Sequence, residues 1–254
     1  GSGSAVGSGI VPFAIGTETW GSILSPASYC GVAGLRPTFG RVSRYGAMTL
    51  SWSLDKVGPI ALTADDCGTI LETISVPDNK DSTVSFKRHS LKKYGPQDKV
   101  KLAVIKDSCI HADKATKNNF FNALSILRTI ADIEEISLPD YPYEAIIRTI
   151  LLSESASALE DFTDNGTASG LTAQEGRYGP YARTTITAKD YIKALRLRGE
   201  IAKEIDNIMS NFDCIISPSR PSVAPPIDKY FDAVISGDKQ DEIGAFSNLL
   251  GLPA

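Results

Sequence analysis

The sequence predicts an α/β fold in which helices cover a largely buried sheet. Short apolar runs of strand type alternate with longer segments of helical periodicity. Strands of that kind belong to a sheet covered on both faces. The 254 residues, 42% hydrophobic and 22% charged, are enough for a sizeable core and have the composition of a soluble globular protein.

Taken in order, residues 1–60 are rich in Gly, Ser and Pro and almost free of helical periodicity. "LTADDCGTILETIS" then opens with Thr63 three places before Asp66, which predicts a capped helix start. Cys67, Ile70, Leu71 and Ile74 follow at helical spacing. "DNKDSTVSFKRHSLKKYGPQDK" is polar and predicts an exposed loop. "VKLAVIKDS" predicts a strand. "KATKNNFFNALSILRTIADI" predicts a helix with Phe120, Leu124, Leu127 and Ile130 or Ala131 on one face. "IEEISLP" predicts a strand closed by Pro139. A second capped helix begins at Thr187 and Asp190, with Tyr191, Leu195, Ile201, Ile205 and Ile208 as its buried stripe. "FDCIISPS" predicts a last strand before a Pro-rich loop. There is no internal repeat and no low-complexity tract.

Composition also excludes. A net charge of -4 gives no footprint for a nucleic-acid backbone. No apolar run is long enough to span a membrane, and "AIIRTILL" is interrupted by Arg148. Cys30, Cys67, Cys109 and Cys214 are scattered without CxxC spacing, as expected of reduced structural thiols in a cytoplasmic protein.

The chemistry has to come from the Gly-rich block "GIVPFAIGTETWGSILSPASYCGVAGLRPTFGRVSRYG". It contains no phosphate loop, no GxGxxG turn and no GxSxG elbow. His89 and His111 have no ligand partners at helical spacing, and neither sits where a catalytic base would. In "TETWGS", Thr19, Trp20 and Gly21 lead directly into Ser22. Successive backbone N–H groups in such a turn form a concave site for a developing oxyanion. A serine at its end can attack a carbonyl carbon seated there. On spacing alone, a Gly/Ser-rich turn without chemistry remains open.

The block resembles the amidase signature family. That family reads as a Gly/Ser/Ala stretch, G-[ST]-D-T-G-G-S-I-R-x-P-A, F-C-G-x-x-G-L-K-P-T-x-G-R-V-S and S-x-D-x-x-G-P. This chain has "GTETWGSILSPASYCGVAGLRPTFGRVSRYG" and then "SWSLDKVGPIALTADDC". "AKDYIKALRLR" and "FDCIISPSRPSVAPPI" continue the resemblance weakly, and "FSNLLGLPA" matches N-x-x-G-x-P-A.

The resemblance implies one domain over residues 1–254, with a central mixed sheet between helical layers, residues 1–60 as its signature core and both ends incomplete. It implies a Ser–cis-Ser–Lys triad with Ser22 as nucleophile and the Thr19, Trp20 and Gly21 N–H groups as oxyanion donors. The bridging serine falls just before residue 1 and the lysine further upstream. The chain then reads as an internal fragment, inactive alone, with Gly1–Ser4 native rather than a cloning scar. Lys56 reads as structural or exposed, and Asp55 as fixing loop geometry.

Three positions depart from the family pattern: Glu18 for Asp, Trp20 for Gly and Leu24 for Arg. Without an arginine at position 24, Glu18 needs another partner, and Arg36, Arg41 and Arg44 are the candidates. Trp20 is expected to narrow the acyl pocket or stack on a substrate.

The implied function is hydrolysis of a carboxylic amide C–N bond through a serine acyl-enzyme, with a small-molecule substrate and no metal or organic cofactor. A homodimer remains open. One alternative is the glutamine-hydrolysing A subunit of a tRNA-dependent amidotransferase, with that enzyme's other subunits as partners. Another is a catalytically dead remnant of the fold.

Overall fold

The computed structural model describes residues 1–85, 99–171, 185–228 and 241–254. Its strands form two three-stranded pieces. The first has the order β1 (Phe13–Glu18), β3 (Lys56–Ala61), β2 (Ala33–Gly34) and is antiparallel. The second has the order β5 (Ala131–Ile136), β4 (Val100–Ile105), β6 (Cys214–Ile216) and is parallel. Strands of both senses therefore occur, as a mixed α/β fold requires.

The Gly-rich region is more ordered than its composition suggests. It holds two short helices that periodicity did not reveal, α1 (Ser2–Gly7) and α2 (Leu24–Cys30), besides β1 to β3. Gly3 and Val6 are buried, the Ser2 hydroxyl donates to the Ile15 carbonyl at 3.0 Å, and a Cβ on Gly3 would meet the Pro26 carbonyl oxygen at 3.1 Å. Ser2 and Gly3 thus pack as part of the fold.

The capped helices form as predicted. In α3 (Ala64–Ile74) the Thr63 hydroxyl accepts the Asp66 N–H at 3.1 Å and donates to its carboxylate at 2.7 Å. In α7 (Ala188–Met209) Thr187 and Asp190 repeat the arrangement. The helix α4 (Lys114–Leu127) starts with Asp113 accepting the Thr116 N–H. It stops earlier than its apolar spacing predicts: Ile130 is exposed and Ala131 opens β5. A turn at Arg128–Ile130 ends the helix, and the parallel ladder to β4 takes the following residues.

The helices α5 (Tyr143–Ala158), α6 (Glu160–Asp164) and α8 (Glu242–Leu249) complete the described helical set, with a 3-10 turn at Thr167–Gly170. Ile146, Ile147 and Ile150 of α5, Ile201 and Ile205 of α7, and Phe246 and Leu249 of α8 form the main core. Trp20 packs against it from the loop after β1. Most of the loop from Asp78 to Lys99, including His89, and most of "EGRYGPYARTT" lie outside the described residues.

Gly58 shows how closely the first sheet fits its surroundings. A Cβ there would lie 2.2 Å from the Leu35 carbonyl oxygen and 2.7 Å from Pro37 Cδ. Gly58→Ala is expected to destabilise the protein by about 3 kcal/mol, because backbone has to move to admit the methyl. Chemical denaturation checks this; a loss below about 0.5 kcal/mol would contradict it.

Candidate active site

The strand β1 ends at Glu18, and the chain turns through Thr19–Ser22 into α2. Gly21 makes the turn possible with φ at 93°, a conformation that other residues adopt at a cost. The N–H groups of Trp20, Gly21 and Ser22 have no acceptor among the described residues, whereas those of Ile23 and Leu24 are taken by Glu18. Ser22 is exposed at the outside of the turn. The turn thus offers unspent donors next to an accessible hydroxyl.

What holds the turn lies beneath it. Glu18 is fully buried. Its Oε2 accepts the N–H groups of Ile23 at 2.8 Å and Leu24 at 3.0 Å, and its Oε1 accepts Arg36 Nη1 at 2.8 Å. Of the three candidate arginines, Arg36 is the partner. Arg44 is engaged elsewhere, with Asp81, Thr83 and the Trp52 carbonyl. Burial alone would raise the Glu18 pKa, but the Arg36 guanidinium and the two N–H groups outweigh it and hold the carboxyl below its usual value. Arg36 continues the link through Nε to the Leu252 carbonyl and through a reciprocal backbone pair with Ala254.

Asp55 ties the turn to the 50–55 loop. Its Oδ1 accepts the Thr19 hydroxyl at 2.5 Å, and its Oδ2 accepts the N–H groups of Leu50 and Ser51, each at 2.9 Å. The 50–55 loop is anchored in turn by Glu154 of α5, which accepts from the Ser51 hydroxyl, the Ser53 N–H and the Tyr191 hydroxyl.

Of the two readings open for Lys56, exposure does not hold: it is 2% accessible, and its Nζ donates to the Thr19 carbonyl at 3.3 Å. Trp20 is half-buried. Its Nε1 donates to Asp241 Oδ2 at 3.0 Å, and Arg148 sits over its ring at 5.3 Å. Asp241 also accepts the Gly244 N–H at the start of α8, and burial pushes its carboxyl up against the opposing pull of Arg220. A cleft of about 650 Å³ opens beside the turn, lined by Gly21, Ser25, Arg36, Arg220 and Asp241 among others.

The sequence matches the amidase family along residues 1–254. This chain belongs to the amidase family. The A subunit of glutamyl-tRNA(Gln) amidotransferase from Bacillus licheniformis is 34% identical over 284 aligned residues, covering all of this chain and 58% of that protein. The same-named subunit from Sulfurisphaera tokodaii is 34% identical over 282 residues, covering all of this chain and 59% of that one. The chain therefore spans a little over half the length of these curated relatives.

Among solved structures, the same amidotransferase component from Thermotoga maritima superposes with a TM-score of 0.80 at 28% identity, over 99% of this chain and 56% of that one. Kluyveromyces lactis allophanate hydrolase superposes with a TM-score of 0.84 over 99% of this chain and 42% of that one. At 23% identity that second likeness is one of fold alone.

As a member of this family, the chain accommodates its departures locally. Glu18 reaches both the α2 N–H groups and Arg36, so Leu24 leaves no unpaired charge behind. Trp20 turns its indole into the core side, towards Arg148 and Asp241. His111 is exposed, and among the described residues no group of three His, Cys, Asp or Glu side chains is placed to hold a metal. No described helix is long and apolar enough to cross a membrane.

Sequence reasoning missed two contributors. One is the Glu154 anchor on α5, which the sequence presents only as the second of two glutamates in that helix. The other is Asp241, which the sequence presents only as a residue shortly before "FSNLLGLPA".

Proposed function

We propose that the whole protein hydrolyses the C–N bond of a carboxylic amide, with Ser22 as nucleophile and the Thr19, Trp20 and Gly21 N–H groups as oxyanion donors. The observation that carries this reading is the turn itself. An exposed serine ends a run whose N–H groups at Trp20, Gly21 and Ser22 are unspent.

In this mechanism the Ser22 Oγ attacks the amide carbonyl carbon. The carbonyl oxygen gains negative charge in the tetrahedral intermediate, and the turn's donors stabilise it. The C–N bond breaks, the amine or ammonia leaves with a proton, and the acyl group remains on Ser22. Water then attacks the ester and releases the carboxylic acid. Among the described residues no imidazole or carboxylate is hydrogen-bonded to the Ser22 hydroxyl. Its deprotonation falls to the bridging serine and neutral lysine of the resembled triad.

A second reading has its own support. The curated relatives named above are amidotransferase A subunits, which favours glutamine as the amide and further subunits as partners. Trp20 and Leu24 favour a stand-alone enzyme with its own substrate.

The deciding experiment assays ammonia release by the whole protein from a panel of primary amides that includes glutamine, with a serine-directed phosphonate to trap the nucleophile. The expected result is turnover of at least one amide and a covalent adduct on Ser22 by mass spectrometry. An adduct on another residue, or none with turnover intact, would overturn the assignment. Gel filtration with amidotransferase subunits separates the readings, since a stable heteromer supports the second.

A further inference from the structure

Lys56 lies opposite Glu18 in the β1–β3 register, so the two side chains leave the same face of the sheet. Arg36, Glu18, Asp55 and Arg198 all act electrostatically on the amine. Both carboxylates are committed elsewhere. Glu18 holds Arg36 and the α2 N–H groups, while Asp55 holds Thr19, Leu50 and Ser51. Arg198 donates to the Ser53 carbonyl. Among the described residues Lys56 has no ion-pair partner, and its hydrogen bond goes to the Thr19 carbonyl. Burying an amine in this way is costly, and a single neutral acceptor returns little of the cost.

The acceptor it has is informative. The Thr19 carbonyl and the Trp20 N–H are the two ends of one conjugated peptide unit. A donor that pulls electron density onto the carbonyl oxygen makes the N–H at the other end a stronger donor, and the effect grows when the donor is charged. We propose that Lys56 is a positioning residue of the amide-hydrolysing turn, which holds the Thr19–Trp20 peptide plane from behind and polarises the Trp20 N–H toward the oxyanion. The inference rests on the proposed role of the turn but concerns a residue that the resembled triad does not use.

Geometry carries the inference, and the titration of the amine makes it measurable. Burial above all, and then Arg36, lower the Lys56 pKa to about 7, against the pull of Glu18 and Asp55. The charge behind the turn therefore changes near neutrality.

The test uses the whole protein with Lys56→Met and Lys56→Gln. The first readout is the backbone amide resonance of Trp20 followed across the neutral range. It is expected to titrate with a midpoint of about 7 in the parent protein and not in either variant. An amide that does not titrate, or titrates unchanged in both variants, overturns the proposal.

The second readout is turnover. Lys56→Met is expected to lower kcat about tenfold with KM little changed, because one oxyanion donor is weakened rather than lost. Lys56→Gln, which keeps an N–H for the Thr19 carbonyl, is expected to recover most of kcat with a flatter pH profile. The melting temperature of Lys56→Met is expected to equal or exceed that of the parent. A lower melting temperature with unchanged kcat would show a structural lysine and overturn the proposal. If the parent turns over no amide and Ser22 takes no adduct, the functional reading has failed, and the Trp20 amide still decides the role of Lys56.

Discussion

Ser22→Ala in the whole protein is expected to lower kcat by about 10⁴–10⁶-fold, the range seen when a nucleophilic serine is removed from a working constellation. The size follows from what remains. The Thr19, Trp20 and Gly21 N–H groups belong to the backbone and survive the substitution, so stabilisation of an oxyanion persists. What is lost is the covalent route, and water has to attack the amide directly, without the acyl-enzyme. KM is expected to change little, since the hydroxyl is a small part of the binding surface. Stability is expected to stay within about 0.5 kcal/mol, because Ser22 is exposed and outside the core clusters. Steady-state kinetics beside a denaturant titration check both statements. A variant that keeps more than about a tenth of the activity would assign the chemistry elsewhere, for one oxyanion donor alone is worth about 10²–10³.

Arg36→Met is expected to have the largest effect on stability, a loss of about 3–5 kcal/mol. Glu18 and Arg36 are both fully buried, and their 2.8 Å contact compensates two charges withdrawn from water. Removing the guanidinium leaves a carboxylate with only the Ile23 and Leu24 N–H groups. It also removes the tie to the Leu252 carbonyl.

The pH dependence supplies a sign that a simple packing defect would not. In the parent protein the folded-state pKa of Glu18 is lowered. Below the ordinary carboxylate value the unfolded chain therefore binds the proton first, and this contribution to stability is lost as pH falls through the folded value. In Arg36→Met, burial has lost its strongest opponent and raises the pKa. The folded state then binds the proton first, so acidification towards the ordinary carboxylate value relieves the defect. Thermal melts on both sides of that value are expected to move in opposite directions for the two proteins. Parallel shifts would mean that the ion pair contributes less than its geometry suggests. Glu18→Gln combined with Arg36→Met is expected to be milder than Arg36→Met alone, since it leaves no buried charge.

These residues also show what can be read from sequence. The caps at Thr63 and Thr187 are local patterns of three or four residues, and both form. The turn of Thr19–Ser22 is equally local, and so is the need of Glu18 for an arginine once position 24 is Leu. Which arginine answers depends on how the chain returns, and the sequence leaves three open. Lys56 reads as structural or exposed because the register that places it opposite Glu18 comes from a pairing of residues 38 positions apart. The bond from Trp20 to Asp241 is not legible, because the two are 221 positions apart. The α4 boundary fails for another reason: Ile130 extends a helical stripe, but the β4 ladder recruits the segment that begins at Ala131.

The distance between Trp20 and Asp241 also has a consequence in time. At about 5–20 residues per second, a ribosome delivers Asp241 roughly 10–45 s after the indole that will donate to it. Leu252 and Ala254, which receive Arg36, come later still. Throughout that interval the Trp20 indole and the Arg36 guanidinium are without the C-terminal acceptors that the folded chain gives them. Synonymous changes that slow translation between these two regions would lengthen that interval without altering a single side chain.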